Sequence, residues 1–362
     1  MNRPKVISGI QQIGIGNTDV VQTTEWYRRH FGMDIQVFDD EATADLMLPY
    51  TGGKPHDRRA ILSLSMRGGG GFEIWQYTSR RPTAMEGEVY LGDLGINAAK
   101  IKSVDVQKSY EEFNIKGLNV VTSLCINPIG EPHFFVKDLH GNLFQVIQGQ
   151  SFFRKKERML TGGVAGALIG SMDIDRSLTL YRDVLGYDTL IYDEEEICDD
   201  FEGLNGADVY YRRCLVRHSK PRKGGFSALF GPTEIELIQR IDTEAKLSPP
   251  KKLFHNRYWG DPGFIHLCFD VQGMDALKEE CESKGYPFTV DSASSFDMGE
   301  AAGRFTYIED PDGTLIEFVE THKVPIAKKF GLFVNMTKRD PEKSLPKWML
   351  QALSLSRMKP LS

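Results

Sequence analysis

The sequence is short of every feature that would mark a secreted, membrane-bound or nucleic-acid-binding protein. Its 362 residues include only five cysteines, Cys125, Cys198, Cys214, Cys268 and Cys281, widely spaced and without a CxxC pair. Such an odd, scattered set implies neither a disulfide framework nor a zinc ribbon. No eighteen apolar residues run together, so no membrane-spanning helix is expected. The opening MNRPKVISGIQQIG has no apolar run of signal-peptide length. Basic charge is not in excess either: 44 Lys and Arg stand against 50 Asp and Glu, a formal charge of −6. Nucleic acid and anionic membranes both call for a basic face, so neither is expected as a partner. The basic clusters at 154–158 and 220–223 are short and read as solvated loops. The expectation is a reduced, cytoplasmic protein that handles small molecules.

What is present is a repeat. Glycine, at 35 residues, exceeds its usual share of roughly 7%, which favours strands and tight turns. Four segments share a pattern of alternating strand, amphipathic helix, glycine and further strands. The helices carry Val20, Thr24, Tyr27 and Phe31 before Gly32; Val106, Tyr110 and Phe113 before Gly117; Ile174, Leu178, Tyr181 and Leu185 before Gly186; and Met274, Leu277 and Cys281 before Gly285. Spacings of three, four and seven place each set on one helical face, and the glycine is a helix-ending signal. Each segment closes on a strand of similar grammar: GFEIWQY, GNLFQVIQ, PTEIELIQ and GTLIEFVE. Glu73, Glu236 and Glu317 occupy one offset in these strands, where the second segment has Gln145. The intervals from glycine to that position are 41, 28, 50 and 32 residues, so the order long, short, long, short suggests two pairs. The break is placed near 150–160, where SFFRKKERM interrupts the periodicity. A tail from 323 to 362 includes a helical stretch, Leu345 to Met358.

A βαβββ unit ending in DPDGTLIEFVE, with helices like DIDRSLTLYRDVLGY, resembles the vicinal oxygen chelate superfamily. That group includes glyoxalase I, extradiol dioxygenases, bleomycin-resistance proteins and methylmalonyl-CoA epimerase. The resemblance covers about residues 7–321 and is strongest in the third and fourth units. It implies an α+β fold of two tandem domains, 5–150 and 160–322, each pairing two βαβββ modules into a cupped, half-open barrel that holds a divalent metal. Four modules in one chain remove the need to dimerise, and a homodimer remains compatible with them.

In this family the ligands stand on the first and last strands of each unit, facing the cup. Strand alternation in FIHLCFDV puts His266, Cys268 and Asp270 on one face, opposite Ile265, Leu267 and Phe269. Glu317 likewise points away from Ile316 and Phe318. A lone carboxylate buried in mid-strand costs several kcal/mol unless it is paired or metal-bound, a cost on the order of that for other buried charges. Carried over, the second pair of units supplies His266, Glu317 and Glu236 as metal ligands, and the fourth ligand position falls on Gly166. The first pair supplies Gln12, Glu73, Ala98 and Gln145, which reads as a degenerate cup. His218 or His255 is a candidate to replace the ligand missing at Gly166, and His133 a candidate to line the first cup.

A Glu, His, Glu set is oxygen-rich, leaves coordination positions open and suits Zn, Mn, Fe, Ni or Co. The resemblance then implies a metal-dependent lyase or isomerase that stabilises an enediolate of a small oxygenated metabolite, with Glu317 or Glu236 as the base. The alternatives are an extradiol or hydroxyphenylpyruvate-type dioxygenase, whose iron needs a second histidine where Gly166 stands, and a drug-binding protein of bleomycin-resistance type. In the latter, Trp75, Tyr77, Tyr258 and Trp259 would be stacking surfaces.

Overall fold

A computed structural model describes residues 3–241, 246–293, 296–298, 301–327 and 332–360. The four repeats are four modules. The first comprises β1 (Val6–Gly16), α1 (Val20–His30), β2 (Ile35–Thr43), β3 (Asp57–Leu64) and β4 (Gly71–Tyr77). The second comprises β5 (Gly95–Ser103), α2 (Val106–Ile115), β6 (Asn119–Val120), β7 (Cys125–Ile126), β8 (Pro132–Lys137) and β9 (Leu143–Gln148). The third has β10 (Thr161–Gly170), α3 (Ile174–Asp183), β11 (Thr189–Ile197), β12 (Tyr210–Arg217), the short α4 (Ser227–Phe230) and β13 (Glu234–Ile241). The fourth has β14 (Gly263–Gln272), α5 (Met274–Ser283), β15 (Val290–Asp291), β16 (Phe296–Met298), β17 (Ala301–Glu309) and β18 (Leu315–Thr321). A tail adds β19 (Lys323–Ala327), β20 (Leu332–Asn335) and α6 (Lys347–Ala352), inside the helical stretch expected there.

Local chemistry sets the module boundaries. Asp19, Asp105 and Asp173 cap three of the helices, accepting from the backbone N–H groups of Gln22, Lys108 and Arg176 at 2.9–3.0 Å. Such a cap satisfies a backbone donor that the first helical turn leaves free, and its loss costs about 1 kcal/mol. At the far ends Gly117 and Gly285 turn left-handed (φ 66° and 86°), a conformation that L side chains avoid.

The α+β class and the cupped sheets of paired modules are as expected, but the partners are not. One nine-stranded sheet runs β15-β17-β18-β14-β1-β4-β3-β2, with β16 paired to β17, and so joins the first module to the fourth. The other runs β11-β12-β13-β10-β5-β9-β8-β6, with β7 paired to β8, and joins the second to the third. The division at 150–160 therefore corrects to a linker between two modules of the same sheet, and neither 5–150 nor 160–322 owns a whole cup. The joints are the antiparallel pairs β1·β14, where Gly14 faces His266, and β10·β5, where Val164 faces Ile101. All four first strands carry the same alternation, so hydrophobic pattern alone does not say which of them pair.

One continuous core unites the sheets and contains buried residues from every module. Phe144 of β9 meets Tyr27 at 5.7 Å, Phe72 at 5.5 Å and Phe264 at 5.3 Å, ring to ring, across both sheets. Fully burying such a ring stabilises by about 1.5–3 kcal/mol. The 150–160 linker is pinned by Arg67, whose guanidinium donates to the carbonyl oxygens of Lys155, Glu157 and Met159 at 2.9, 3.2 and 2.5 Å.

Candidate metal centre

Joining the first and fourth modules brings four side chains from four strands to one point. Gln12 stands on β1, Glu73 on β4, His266 on β14 and Glu317 on β18. The three ligand atoms of Glu73, His266 and Glu317 all lie within 4.8 Å of one another. Nε2 of His266 is 3.0 Å from Glu317 Oε2 and 3.3 Å from Glu73 Oε2. Gln12 Nε2 donates to Glu73 Oε2 at 3.1 Å and, more weakly, to Glu317 Oε2 at 3.5 Å. His266 is wholly buried, and the Glu317 and Glu73 side chains are 8% and 14% exposed, so Glu73 is the more open of the two.

The joint itself makes room for the imidazole. A Cβ at Gly14, the β1 residue opposite His266, would stand 2.4 Å from its ring. Burial of His266 lowers its proton affinity, but Glu317 and Glu73 outweigh that and push it up to about 9. The nearby Cys268 thiol is pushed well up by burial and then by Glu317.

Chemically, this donor set fits a divalent cation. Although Nε2 lies close to two carboxylate oxygens, neither nitrogen of the buried His266 ring has a partner in hydrogen-bond geometry among the described residues. Two carboxylates, an imidazole nitrogen and an amide converge where an unshared negative charge is costly, and an oxygen-rich set with one nitrogen suits Zn, Mn, Fe, Ni or Co.

The structure brings together two of the three expected ligands, His266 and Glu317, and separates the third. Glu236 lies on β13 in the other cup, wholly buried and already neutralised. Lys100 Nζ stands 2.8 Å from its Oε2, while Arg213 Nε and Tyr192 Oη donate to its Oε1 at 2.9 Å each. Burial raises the Glu236 carboxyl, but Lys100 and Arg213 overcome this and hold it far below the carboxylate range. Its assignment as metal ligand and base is thus corrected, and the partners of His266 and Glu317 are Gln12 and Glu73 of the supposedly degenerate cup.

The second cup is the one that has lost the ligand set. By strand register, Gly166 takes the place of Gln12 and Glu236 that of Glu73. Lys100 pairs with Gln145 as Cys268 pairs with Glu317, which puts Ala98 in the place of His266. A side chain at Gly166 would not face His266: its Cβ would meet the Glu234 carbonyl oxygen at 2.2 Å. His133 does line this cup, bonded to Asp200 at 3.0 Å and Gln145 at 3.1 Å. Neither loop histidine joins the metal centre. His218 accepts from the Thr233 N–H at 3.2 Å, and His255 is exposed.

Aromatic residues cover the Gly16 end of the candidate metal cup. Trp259 lies nearly parallel to the His266 ring, at 12° and 6.2 Å, and meets Trp75 edge-on at 4.4 Å. Its backbone N–H donates to the Tyr50 carbonyl and its own carbonyl accepts from the Tyr77 hydroxyl, which ties three mouth segments together. The indole Nε1 is buried without a partner among the described residues. No described helix is long and apolar enough to cross a membrane.

No curated protein matched the sequence. Among solved structures, glyoxalase I from Zea mays is similar, at 15% identity and a TM-score of 0.51 over 88% of this chain and 92% of that one. A mutant form of the same enzyme gives 16% identity and a TM-score of 0.52 over the same shares. A candidate dioxygenase from Bacillus subtilis subsp. subtilis str. 168 gives 16% and 0.52 over 88% of this chain and 86% of that one. At such identities the likeness establishes the fold. The family model for the Glyoxalase/Bleomycin resistance protein/Dioxygenase superfamily matches residues 164–318, which span the third and fourth modules. By this match residues 164–318, the third and fourth modules, belong to the glyoxalase, bleomycin resistance protein and dioxygenase superfamily, and the chain as a whole shares the fold of glyoxalase I from Zea mays.

Proposed function

We propose that the chain is a metal-dependent lyase or isomerase of glyoxalase type, acting on a small oxygenated metabolite in the cup of the first and fourth modules. The observation that carries this reading is the convergence of Glu73, His266 and Glu317 at one buried point. Together with the Gln12 amide, these residues would hold a divalent cation. Bound there, the cation would supply Lewis acidity toward adjacent substrate oxygens and favour charge on a carbonyl oxygen as the neighbouring carbon loses a proton.

The chain's own groups divide the remaining work. Glu73, the more open carboxylate, is the base: it takes the proton from the carbon beside the carbonyl and returns it to the next carbon. Glu317, deeper and beside Cys268, holds negative charge in place. Gln12 steadies both carboxylates through its amide. Trp75, Trp259 and Tyr307 keep water from the reacting carbon, since all three are buried around the imidazole. A single histidine argues against ring cleavage, for which iron uses two histidines and one carboxylate.

To test it, protein purified without chelator or nickel is assayed for metal, then loaded with Zn, Mn, Ni or Co and given thiol adducts of 2-oxoaldehydes. Thioester formation that is lost in Glu73→Gln, with metal retained, is the expected result. Oxygen uptake by iron-loaded protein with catechols, abolished by Glu317→Gln, would move the chain to the dioxygenases. Ligand binding without turnover, quenching Trp259, would make it a binding protein.

A further inference from the structure

The aromatic roof of the candidate metal cup carries one polar group that its neighbours leave unused. Trp259 is 6% exposed, and its indole Nε1 is buried without a partner among the described residues. A buried indole N–H ordinarily finds an acceptor. Here the rings of Trp75, Tyr307 and His266 surround the indole, ring to ring at 4.4, 6.0 and 6.2 Å. The frame that holds it is otherwise satisfied. Asp261 accepts from the Tyr258 and Thr83 N–H groups at 2.7 and 2.9 Å, and Arg257 donates to the carbonyls of Leu253 and Pro262 at 3.1 and 2.6 Å.

The other cup shows what the fold alone requires at this place. Tyr90-Leu91-Gly92-Asp93 repeats Tyr258-Trp259-Gly260-Asp261 in the matching segment, with Gly92 and Gly260 at φ 79° and 93°. The Leu91 carbonyl accepts from the Tyr211 hydroxyl, as that of Trp259 does from Tyr77. Leu91 is buried in an apolar cluster. Where the ligand set is lost, an aliphatic side chain fills the position. Where it converges, an indole brings a donor that packing does not need.

We propose that Trp259 determines specificity in this cup: its indole N–H donates to a neutral hydroxyl or carbonyl oxygen of the substrate, additional to the two oxygens that face the cation. The proposal rests on the metal-dependent reading above. A neutral acceptor follows from charge, because Arg80, lying over the Tyr77 and Tyr258 rings, is already paired with Asp261, and an unpaired anion under the roof would be costly. With His266 wholly buried, the indole must shift to admit substrate. Gly260 and Gly263, at φ 93° and 126°, give the segment the backbone freedom to do so. The substrate oxygen takes up the N–H as the roof settles back.

To test it, the Co(II)-loaded native chain is titrated with aceto-, propano- and butanohydroxamate and with the terminal-hydroxyl analogue of each, read by the visible Co(II) spectrum. At least one analogue should bind about tenfold tighter than its parent, and Trp259→Phe should bring that ratio close to one. The ratio is the readout, so a general loss of affinity in the variant cancels. Trp259→Leu, which copies Leu91, serves if the Phe variant does not fold. In the Zn form with isotope-labelled indoles, the N–H resonance missing from the variant should move downfield with that analogue and stay in place with its parent. Ratios near one for all three pairs in the native protein, or a preference that both variants retain, would overturn the proposal and leave the metal reading standing. Failure to bind Co(II) would end both.

Discussion

Lys100→Met tests whether the second cup is held by ion pairs in place of a metal. The substitution keeps most of the side-chain volume and deletes one buried charge that bridges Glu234 at 2.7 Å and Glu236 at 2.8 Å. Removing one partner of a buried pair costs about 3–5 kcal/mol, because the other charge is left without compensation. Here Glu236 keeps Arg213 and Glu234 keeps Arg217, which points to the lower end, about 3 kcal/mol. For a cooperative unit of 150–250 residues that is a loss of roughly 6–12 °C in melting temperature. Adding Glu236→Gln restores the charge balance, so the double variant should recover at least about 1 kcal/mol relative to the sum of the single effects. The pair also sets a pH window. Glu236 is held below its unfolded value, so its contribution is complete above about pH 4.3 and is lost as pH falls through the folded value. Lys100 is raised, burial being outweighed by Glu234 and Glu236, so its contribution is complete below about pH 10.4 and is lost as pH rises beyond the folded value. Thermal melts of the three variants at pH 7, with metal analysis alongside, make the assay. A shift under about 2 °C, or a second bound metal in Lys100→Met, would refute the reasoning.

Three further outcomes follow from the same geometry. His266→Ala should lower metal affinity more than about 100-fold, whereas Glu236→Gln should leave it unchanged at one metal per chain, as equilibrium dialysis would show. Asp270 is buried beside Ser8, its Oδ1 without a partner among the described residues, and burial pushes its carboxyl up to about 7. The folded chain therefore holds a proton that the unfolded chain releases near pH 3.9, and stability declines from that pH until about pH 7. Asp270→Asn should remove this decline and gain up to about 4 kcal/mol at pH 8 with little change at pH 4, measured by denaturant unfolding; equal effects at both pH values would rule out the titration.

The helices, their glycine stops and the alternation of β14 were legible because each is local. His266, Cys268 and Asp270 do share one face, and Glu317 meets His266 as its own strand pattern implied. The partner module was not legible, because β1, β5, β10 and β14 present equivalent edges. That ambiguity carried Glu236 into the wrong cup, since Glu73 and Glu236 occupy one offset in their strands. A signal was nevertheless present in GINAAKIKS, where Lys100 and Lys102 fall on the same strand face as Ile96 and Ala98. Cations on a first strand can neutralise Glu236 without a metal, whereas the first strand VISGIQQIGIG offers Gln12 and no cation.

The crossed pairing of modules has a symmetric logic that also makes it testable. A two-module chain that gives its first module to a second copy, and receives that copy's in return, builds two equal cups, as domain exchange does in dimers. Joined in tandem, such copies pair first with fourth and third with second, as found here. The crossing segments still match. The Asp93 carboxylate accepts from the Tyr90 and Lys251 N–H groups, and that of Asp261 from the Tyr258 and Thr83 N–H groups. Their carbonyl oxygens press on Gly170 and Gly16, where a Cβ would stand only 2.0 Å away. The candidate metal centre is therefore built from residues as far apart as Gln12 and Glu317, 305 positions, and cannot form until both ends of the chain have folded together. Cutting the chain in the 150–160 linker would leave Gln12 and Glu73 on one fragment and His266 and Glu317 on the other. Each fragment alone should bind divalent metal no better than His266→Ala does, and mixing the two should restore one site per pair. Full metal affinity in either fragment by itself would mean that a cup closes within one half, and the crossed sheets would be wrong.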